Sequence, residues 1–384
     1  MWFCPCYRNL SEKIEDIYLH IFWYICSELL APIYYSIYPY GKIYKLMTIK
    51  ENHLPTPPQV LKAVRNGFDA ITRHIGLVLF PLGIDLLIWF APHLRIKHHI
   101  EKLVMYISSL PSLSSGEIEE VMKASQEIWQ LLAERFNILF ALRSFPVGVF
   151  SLMSSLLPIK TPLGEPLFIE IDSLGVALLL GVVLTIIGVF LGGIYFSSVA
   201  QAALHDEVRW LKLFRNWPWM SVQALFLMFF WILLFIGVSV FGMCLILGVT
   251  IVSTSMSQVA FLLYGTMASW LLLPLFFSSH GIFVNREPAW RSLLQGVRLT
   301  SMTFLKTSLF IMLIVLLVQG MNALWQIPPE DSWLMVISIL GHAFVSTGAL
   351  AASFIYYNDM RVWSKKMLIL QKAYLEEKKS LYTD

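Results

Sequence analysis

The chain has 384 residues, of which 57% are hydrophobic and 14% are charged, and its formal charge at pH 7 is +3. Soluble globular domains carry about 25% charged residues, so this composition excludes an ordinary soluble protein and predicts one embedded in lipid. Because the net charge is small, the distribution of basic residues is more informative than their sum.

The first 58 residues form an N-terminal segment that is aromatic and mixed in charge. A cleaved signal peptide is not expected, because charges interrupt its apolar stretch and no small-residue cleavage site follows. Residues 17–38 are long enough to span a membrane but contain His20, Glu28 and Pro32. This pattern favours an amphipathic helix lying in the cytoplasmic interface; a seventh span is the alternative, which the charge pattern does not exclude.

Residues 59–361 are predicted to form an all-α membrane domain with about six transmembrane helices. The first span, residues 75–90, is short for a hydrocarbon core of about 30 Å and follows a basic amphipathic helix at residues 59–74. The other five spans, which have few charges, are residues 174–197, 221–247, 257–279, 304–324 and 333–357.

Residues 92–173 form one large loop, predicted on the outer side. Apolar residues at helical spacing predict a surface helix over residues 117–136. Residues 138–157 are apolar but contain Arg143 and Pro146, which favours an interfacial or re-entrant segment rather than a span.

The charges of the other links set the predicted orientation. Residues 205–217 and 281–303 are basic, whereas residues 248–256 are uncharged and residues 325–332 are acidic. Short loops rich in Lys and Arg stay cytoplasmic. Both termini, including a charged tail at residues 362–384, are therefore predicted on the cytoplasmic side of a bacterial inner membrane.

Similar basic stretches precede the first, third and fifth spans, which suggests an internal repeat. The chain is therefore predicted to form three helical hairpins, each entered through a short amphipathic cytoplasmic helix. Coincidence is the alternative, since any basic pre-membrane helix contains Leu, Lys and Arg. The stretches are Leu61-Lys62-Ala63-Val64-Arg65-Asn66, Leu211-Lys212-Leu213-Phe214-Arg215-Asn216 and Leu294-Gln295-Gly296-Val297-Arg298-Leu299.

Two polar residues form a candidate intramembrane site. Asp85 lies ten residues into the first span, about 15 Å at the helical rise, and His342 lies inside the sixth span. Such groups are costly in lipid and face the protein interior or water. They either line a proton or cation path or are neutral side chains that hydrogen-bond to neighbouring helices.

Small residues mark a face of the second span and predict close packing between helices, with the lining of a pore as the alternative. A similar set occurs in the sixth span. In the second span these residues are Ala177, Gly181, Thr185, Gly188 and Gly192.

The end of the sixth span suggests a cytoplasmic latch. Tyr356 and Tyr357 are expected to anchor the span in the interface. Asp359 and Arg361 follow, and we expect each to pair with a residue of the pre-membrane helices. The basic candidates on those helices are Arg65, Arg215 and Arg298.

Motifs of known chemistry are missing from the sequence. It contains no phosphate-binding, zinc-protease, nucleophile-elbow or dinucleotide pattern. The cysteines, Cys4, Cys6, Cys26 and Cys244, form no ligand set. Basic residues at membrane edges give no support for nucleic-acid binding. No enzymatic activity, cofactor or metal is therefore expected.

Two short motifs in the C-terminal third carry a family resemblance. They are Ala289-Trp290-Arg291-Ser292 with Gly296 and Arg298, and Tyr356-Tyr357-Asn358-Asp359-Met360-Arg361. They resemble the bacterial six-span family akin to the membrane domain of glycerophosphodiester phosphodiesterases, loosely over residues 170–361. That family's catalytic barrel is absent from this chain, so the resemblance implies a fold and no activity.

The leading functional hypothesis is a non-enzymatic scaffold or accessory subunit. Its expected partners are membrane lipids and a protein on the cytoplasmic face. One alternative is a transport or permease component in which Asp85 and His342 line a polar path and the two basic links dock a partner. The other is a lipid-binding membrane enzyme.

Overall fold

The computed structural model describes residues 55–108 and 116–380, which are predominantly helical. It confirms the predicted fold class: an all-α, multi-pass membrane protein. The predictions for residues 1–54, including the question of whether residues 17–38 span the membrane, concern residues outside the described part of the chain. The elements are α1 (Val60–Arg73), α2 (Leu79–Phe90), β1 (His93–Arg95), α3 (Lys97–Ser108), α4 (Gly116–Arg135), α5 (Met153–Leu156), β2 (Phe168–Glu170), α6 (Leu174–His205), α7 (Trp210–Val252), α8 (Thr254–Leu272), α9 (His280–Asn285), α10 (Ala289–Met302), α11 (Phe304–Trp325) and α12 (Met335–Ser380).

Five helical stretches in the described part of the chain are long and apolar enough to cross a membrane. A sixth candidate is a bent pair, in which α1 and Ile75–Phe90 meet at 93°. His74 lies between them with φ −121° and ψ 48°, outside the helical region. The five stretches are Leu174–His205, Trp210–Thr250, Met256–Asn285, Phe304–Trp325 and Met335–Ala373.

Helix α1 is amphipathic and buries one face against α12. The buried residues Ala63, Gly67, Ala70 and Ile71 recur at helical spacing. A Cβ atom on Gly67 would lie 2.4 Å from the backbone nitrogen of Ala352, so the two backbones are in direct contact. The small residues predicted to permit close packing in the last span serve that purpose here.

Residues 137–157, which we call the inserted segment, run beside α6. A Cβ atom on Gly188 would lie 2.4 Å from the carbonyl oxygen of Leu142, and one on Gly192 would lie 2.6 Å from Cα of Gly148. The two glycines are 14 and 18 residues from the start of α6, or about 21 and 27 Å along its axis. Part of the small-residue face predicted for helix–helix packing therefore admits the backbone of a loop instead.

The second of the predicted pre-membrane helices is continuous with its span. Its basic stretch is the start of α7, whose 43 residues include Pro218. A proline inside a helix removes one backbone hydrogen bond. Trp217 stabilises this part of α7 against α6, because its Nε1 donates to the carbonyl oxygen of Phe190 at 2.7 Å. Helices α1 and α10, by contrast, are separate elements as predicted.

The two tyrosines expected at the interface are fully buried. The rings of Phe310 and Tyr356 stack with centroids 4.2 Å apart, and Phe277 lies 6.0 Å from both Tyr356 and Tyr357. The expectation was wrong because α12 does not end there. The helix has 46 residues in all and ends at Ser380, so the two rings lie in its middle and pack against neighbouring elements.

The chain forms two compact units. The larger comprises Pro58–Val297 and Leu305–Asp359 and contains the inserted segment. The described part of the smaller covers residues 55–57, 298–304 and 360–380. Within it, Trp363 Nε1 donates to the carbonyl oxygen of Pro55 at 3.1 Å.

Candidate functional site

Asp85 connects α2 to the inserted segment. Its side chain is fully buried. The hydroxyl of Ser151 donates to Asp85 Oδ1 at 2.5 Å, and the backbone N–H of Met153 donates to the same oxygen at 2.9 Å. Buried polar groups are costly unless hydrogen-bonded, so these two bonds satisfy Oδ1 of the carboxyl group and fix the start of α5.

His342 approaches the other oxygen of the same carboxyl group. His342 Nδ1, on α12, lies 3.9 Å from Asp85 Oδ2. This distance exceeds that of a hydrogen bond, and neither atom has a hydrogen-bond partner in the structure. The structure thus brings together the two residues that the sequence singled out. We call them the carboxyl–imidazole pair.

Arg143 adds a positive charge near this pair. It lies exposed on the inserted segment, where its Nη1 donates to Ser155 Oγ at 2.6 Å. The guanidinium is close enough to act electrostatically on Asp85 and His342. In the sequence, Arg143 indicated only that residues 138–157 do not span the membrane. The signal that could have predicted the proximity of Arg143 and Asp85 is that each is a single charged residue within an apolar run.

A second polar cluster lies one helical turn from Asp85, around Trp89 and Glu330. Trp89 Nε1 lies 3.2 Å from the carbonyl oxygen of Glu330 and 3.3 Å from that of Lys160. The carboxylate of Glu330 accepts from Arg135 Nη1 at 2.7 Å and from the backbone N–H of Ile159 at 3.0 Å. The acidic link between α11 and α12 therefore holds the chain just before and just after the inserted segment.

The structure places the residues of the predicted latch as follows. Asp359 is half-buried on α12, and the basic group that favours its charge is Lys62 of α1. Arg65 pairs instead with Asp69, its Nε lying 3.7 Å from Oδ2. Arg215 is exposed on α7. Arg298 and Arg361 belong to the smaller unit. The latch stays a prediction.

A further contact joins the end of α1 to the end of α6. Asp206 terminates α6 in the left-handed conformation, with φ 56°, which Asp adopts more readily than most residues. Arg73 Nε donates to Asp206 Oδ1 at 2.8 Å, and this hydrogen bond holds the pKa of Asp206 below its ordinary value. His74 Nε2 lies 3.4 Å from the same oxygen.

Neither metal-site geometry nor similarity to known proteins identifies a chemistry for this site. Within residues 55–108 and 116–380, no group of three or more His, Cys, Asp or Glu side chains is placed to hold a metal ion. No protein-family model, curated protein or solved structure matches the chain. The resemblance to the membrane domain of glycerophosphodiester phosphodiesterases rests on its two short motifs and stays a prediction.

Proposed function

We propose that this protein is a non-enzymatic scaffold or accessory subunit of a membrane assembly, in which Asp85 has a structural role. The supporting observation is that Asp85 Oδ1 accepts hydrogen bonds from both Ser151 and Met153. Carboxyl groups in membrane segments are costly and usually mark function. Both donors belong to the inserted segment, one being a side-chain hydroxyl and the other a backbone N–H. A structural role in holding that segment therefore explains why a carboxyl group is buried here.

The proposed location is a bacterial cytoplasmic membrane with both termini on the cytoplasmic side. The support is the positive-inside rule, since the two short basic links alternate with an uncharged and an acidic one. Reporter fusions after residues 100, 210 and 365 test this arrangement. The fusion after residue 100 is expected outside, and those after 210 and 365 inside. An outside signal at 210 would overturn the topology.

We expect a scaffold extracted from its native membrane with mild detergent to co-purify with a protein partner in a fixed molar ratio. That partner would dock on the cytoplasmic face. Changing the exposed Lys365 and Lys366 of α12 to Gln should lower that ratio, because docking there would use their charge. The matched control is Lys102→Gln, an equally exposed lysine in the large loop. Purification of the native protein alone after mild detergent extraction would contradict the proposal.

A transport component is the second candidate, and the carboxyl–imidazole pair favours it. Asp85 Oδ2 and His342 Nδ1 lie 3.9 Å apart and have no hydrogen-bond partners among the residues that the structure describes, and exposed Arg143 lies nearby. The same purified protein in proteoliposomes distinguishes the two candidates. A scaffold is expected to pass no more protons than empty liposomes under an imposed pH gradient. Proton flux that Asp85→Asn abolishes and Asp172→Asn preserves would establish transport instead.

A further inference from the structure

A polar cleft of about 320 Å³ lies where α6 ends and α7 begins, and it belongs entirely to the larger unit. It is separate from the carboxyl–imidazole pair and is not used in the function proposed above. The polar residues that matter to its chemistry are Ser197, Gln201, Glu207, Arg209, Lys212 and Arg286.

The cleft has more positive than negative charge. Arg209 pairs with Glu207 through its Nη2, and the backbone N–H of Arg209 donates to Gln201 Oε1 at 3.0 Å. Within the described residues, Lys212 and Arg286 form no ion pair with an acidic side chain. Two cationic residues therefore line the cleft without an ion-pair partner among the described residues.

Arg286 occupies a backbone position that is unfavourable for it. It caps the C-terminus of α9 with φ 57° and ψ 38°, a left-handed conformation that costs any residue with a Cβ and that usually falls to Gly. Strained positions of this kind cluster at ligand sites. An arginine at this position adds a cationic residue to the lining of the cleft and lowers local stability.

The floor of the cleft offers a buried hydroxyl. Ser197 is 2% exposed, and its Oγ donates to Met220 Sδ at 3.6 Å. A thioether sulfur is a weak acceptor, so this hydroxyl can exchange its bond for a stronger one to an oxygen ligand. The cleft therefore combines cationic groups at its sides with a hydroxyl donor at its base.

The surroundings of the cleft place it at a membrane–water boundary. The first residues of α7 expose large apolar side chains: Trp210 is 44% exposed, Phe214 50% and Trp219 53%. Aromatic side chains of this type collect at the level of the lipid headgroups. The exposed Trp210 and Trp219 therefore favour a position of the cleft near the lipid headgroups.

We propose that this cleft binds a phosphate group, with Lys212 and Arg286 as its cationic contacts and Ser197 as a donor at its base. Arg and Lys are the residues that recognise phosphate oxygens, through charge-assisted hydrogen bonds. The phosphate belongs either to an anionic lipid headgroup or to a free phosphate ion, and the two sources share this chemistry.

Calorimetric titration of the full-length protein in a zwitterionic detergent tests the proposal. One arm uses a short-chain phosphatidylglycerol below its micellar concentration, and the other uses inorganic phosphate. We expect at least one to bind, with an affinity that falls about tenfold in Lys212→Gln and in Arg286→Gly. Lys306→Gln, an exposed lysine at the start of α11, is the matched control and should bind as the wild type does.

The variant Arg286→Gly separates binding from folding. Gly relieves the left-handed conformation, so its thermal denaturation midpoint should be no lower than that of the wild type. Binding of phosphatidylglycerol alone would identify a lipid headgroup site, and binding of inorganic phosphate as well would identify a free phosphate site. If neither binds, or if both cleft variants bind as tightly as Lys306→Gln, the proposal is overturned.

Discussion

Replacing Asp85 with Ala is expected to lower the free energy of unfolding by about 3 kcal/mol, since two buried donors lose their acceptor and each costs about 1–3 kcal/mol when unsatisfied. The donors are the Ser151 hydroxyl and the Met153 backbone N–H. Chemical unfolding in detergent micelles measures the change. Asp85→Asn should cost less, because an amide oxygen of the same size can still accept both hydrogen bonds.

The control for this experiment is an exposed aspartate of the large loop. Asp172 is exposed just before α6, and surface substitutions usually change stability by less than about 0.5 kcal/mol. Ser151→Ala should fall between the two, because it removes one donor and leaves Met153 bonded. If Asp85→Ala unfolds at the same denaturant concentration as Asp172→Ala, Asp85 does not anchor the inserted segment.

Alanine at Gly188 or Gly192 is expected to displace the inserted segment and to destabilise the protein by about 1–3 kcal/mol. The added Cβ would lie 2.4 Å from the carbonyl oxygen of Leu142 in the first case and 2.6 Å from Cα of Gly148 in the second. These neighbours are backbone atoms, which cannot rotate away as the end of a side chain can. Hydrogen exchange of residues 137–157 should rise together with the loss of stability.

Gly181→Ala provides a control on the same helix. A Cβ atom at Gly181 meets no atom within 4 Å. The substitution should leave the exchange of the inserted segment unchanged and stabilise α6 by up to about 1 kcal/mol, because Ala is the better helix former. Equal stability and equal exchange in all three alanine variants would show that the glycines do not position the segment.

The spans could be predicted from the sequence because each is a local property. A run of about 20 apolar residues suffices to cross the hydrocarbon core, so no knowledge of distant residues is needed. The exact ends were harder: α12 continues far beyond Tyr357, because the charged residues that follow are themselves good helix formers. The burial of Tyr356 and Tyr357 followed from that continuation and from neighbours on other helices.

The partners within the candidate site were only partly predictable. Lone polar residues in apolar runs identified Asp85 and His342, since such residues are rare in membrane segments. The donors to Asp85 were not predictable, because one is the backbone N–H of Met153 and carries no residue signature. The other donor, Ser151, has no sequence feature that distinguishes it from the other serines of the chain. The close approach of Gly188 to the inserted segment depends on tertiary contacts that helical spacing alone does not reveal.

The contacts of the inserted segment also imply an order of events during synthesis. The chain emerges from the N-terminus, and domains begin to fold as they are made. Asp85 precedes the segment and α6 follows it directly, so those contacts become available early. Glu330, which binds Arg135 and Ile159, lies 195 and 171 residues later. The chain on either side of the segment therefore lacks this carboxylate until α6, α7, α8 and α11 have been synthesised.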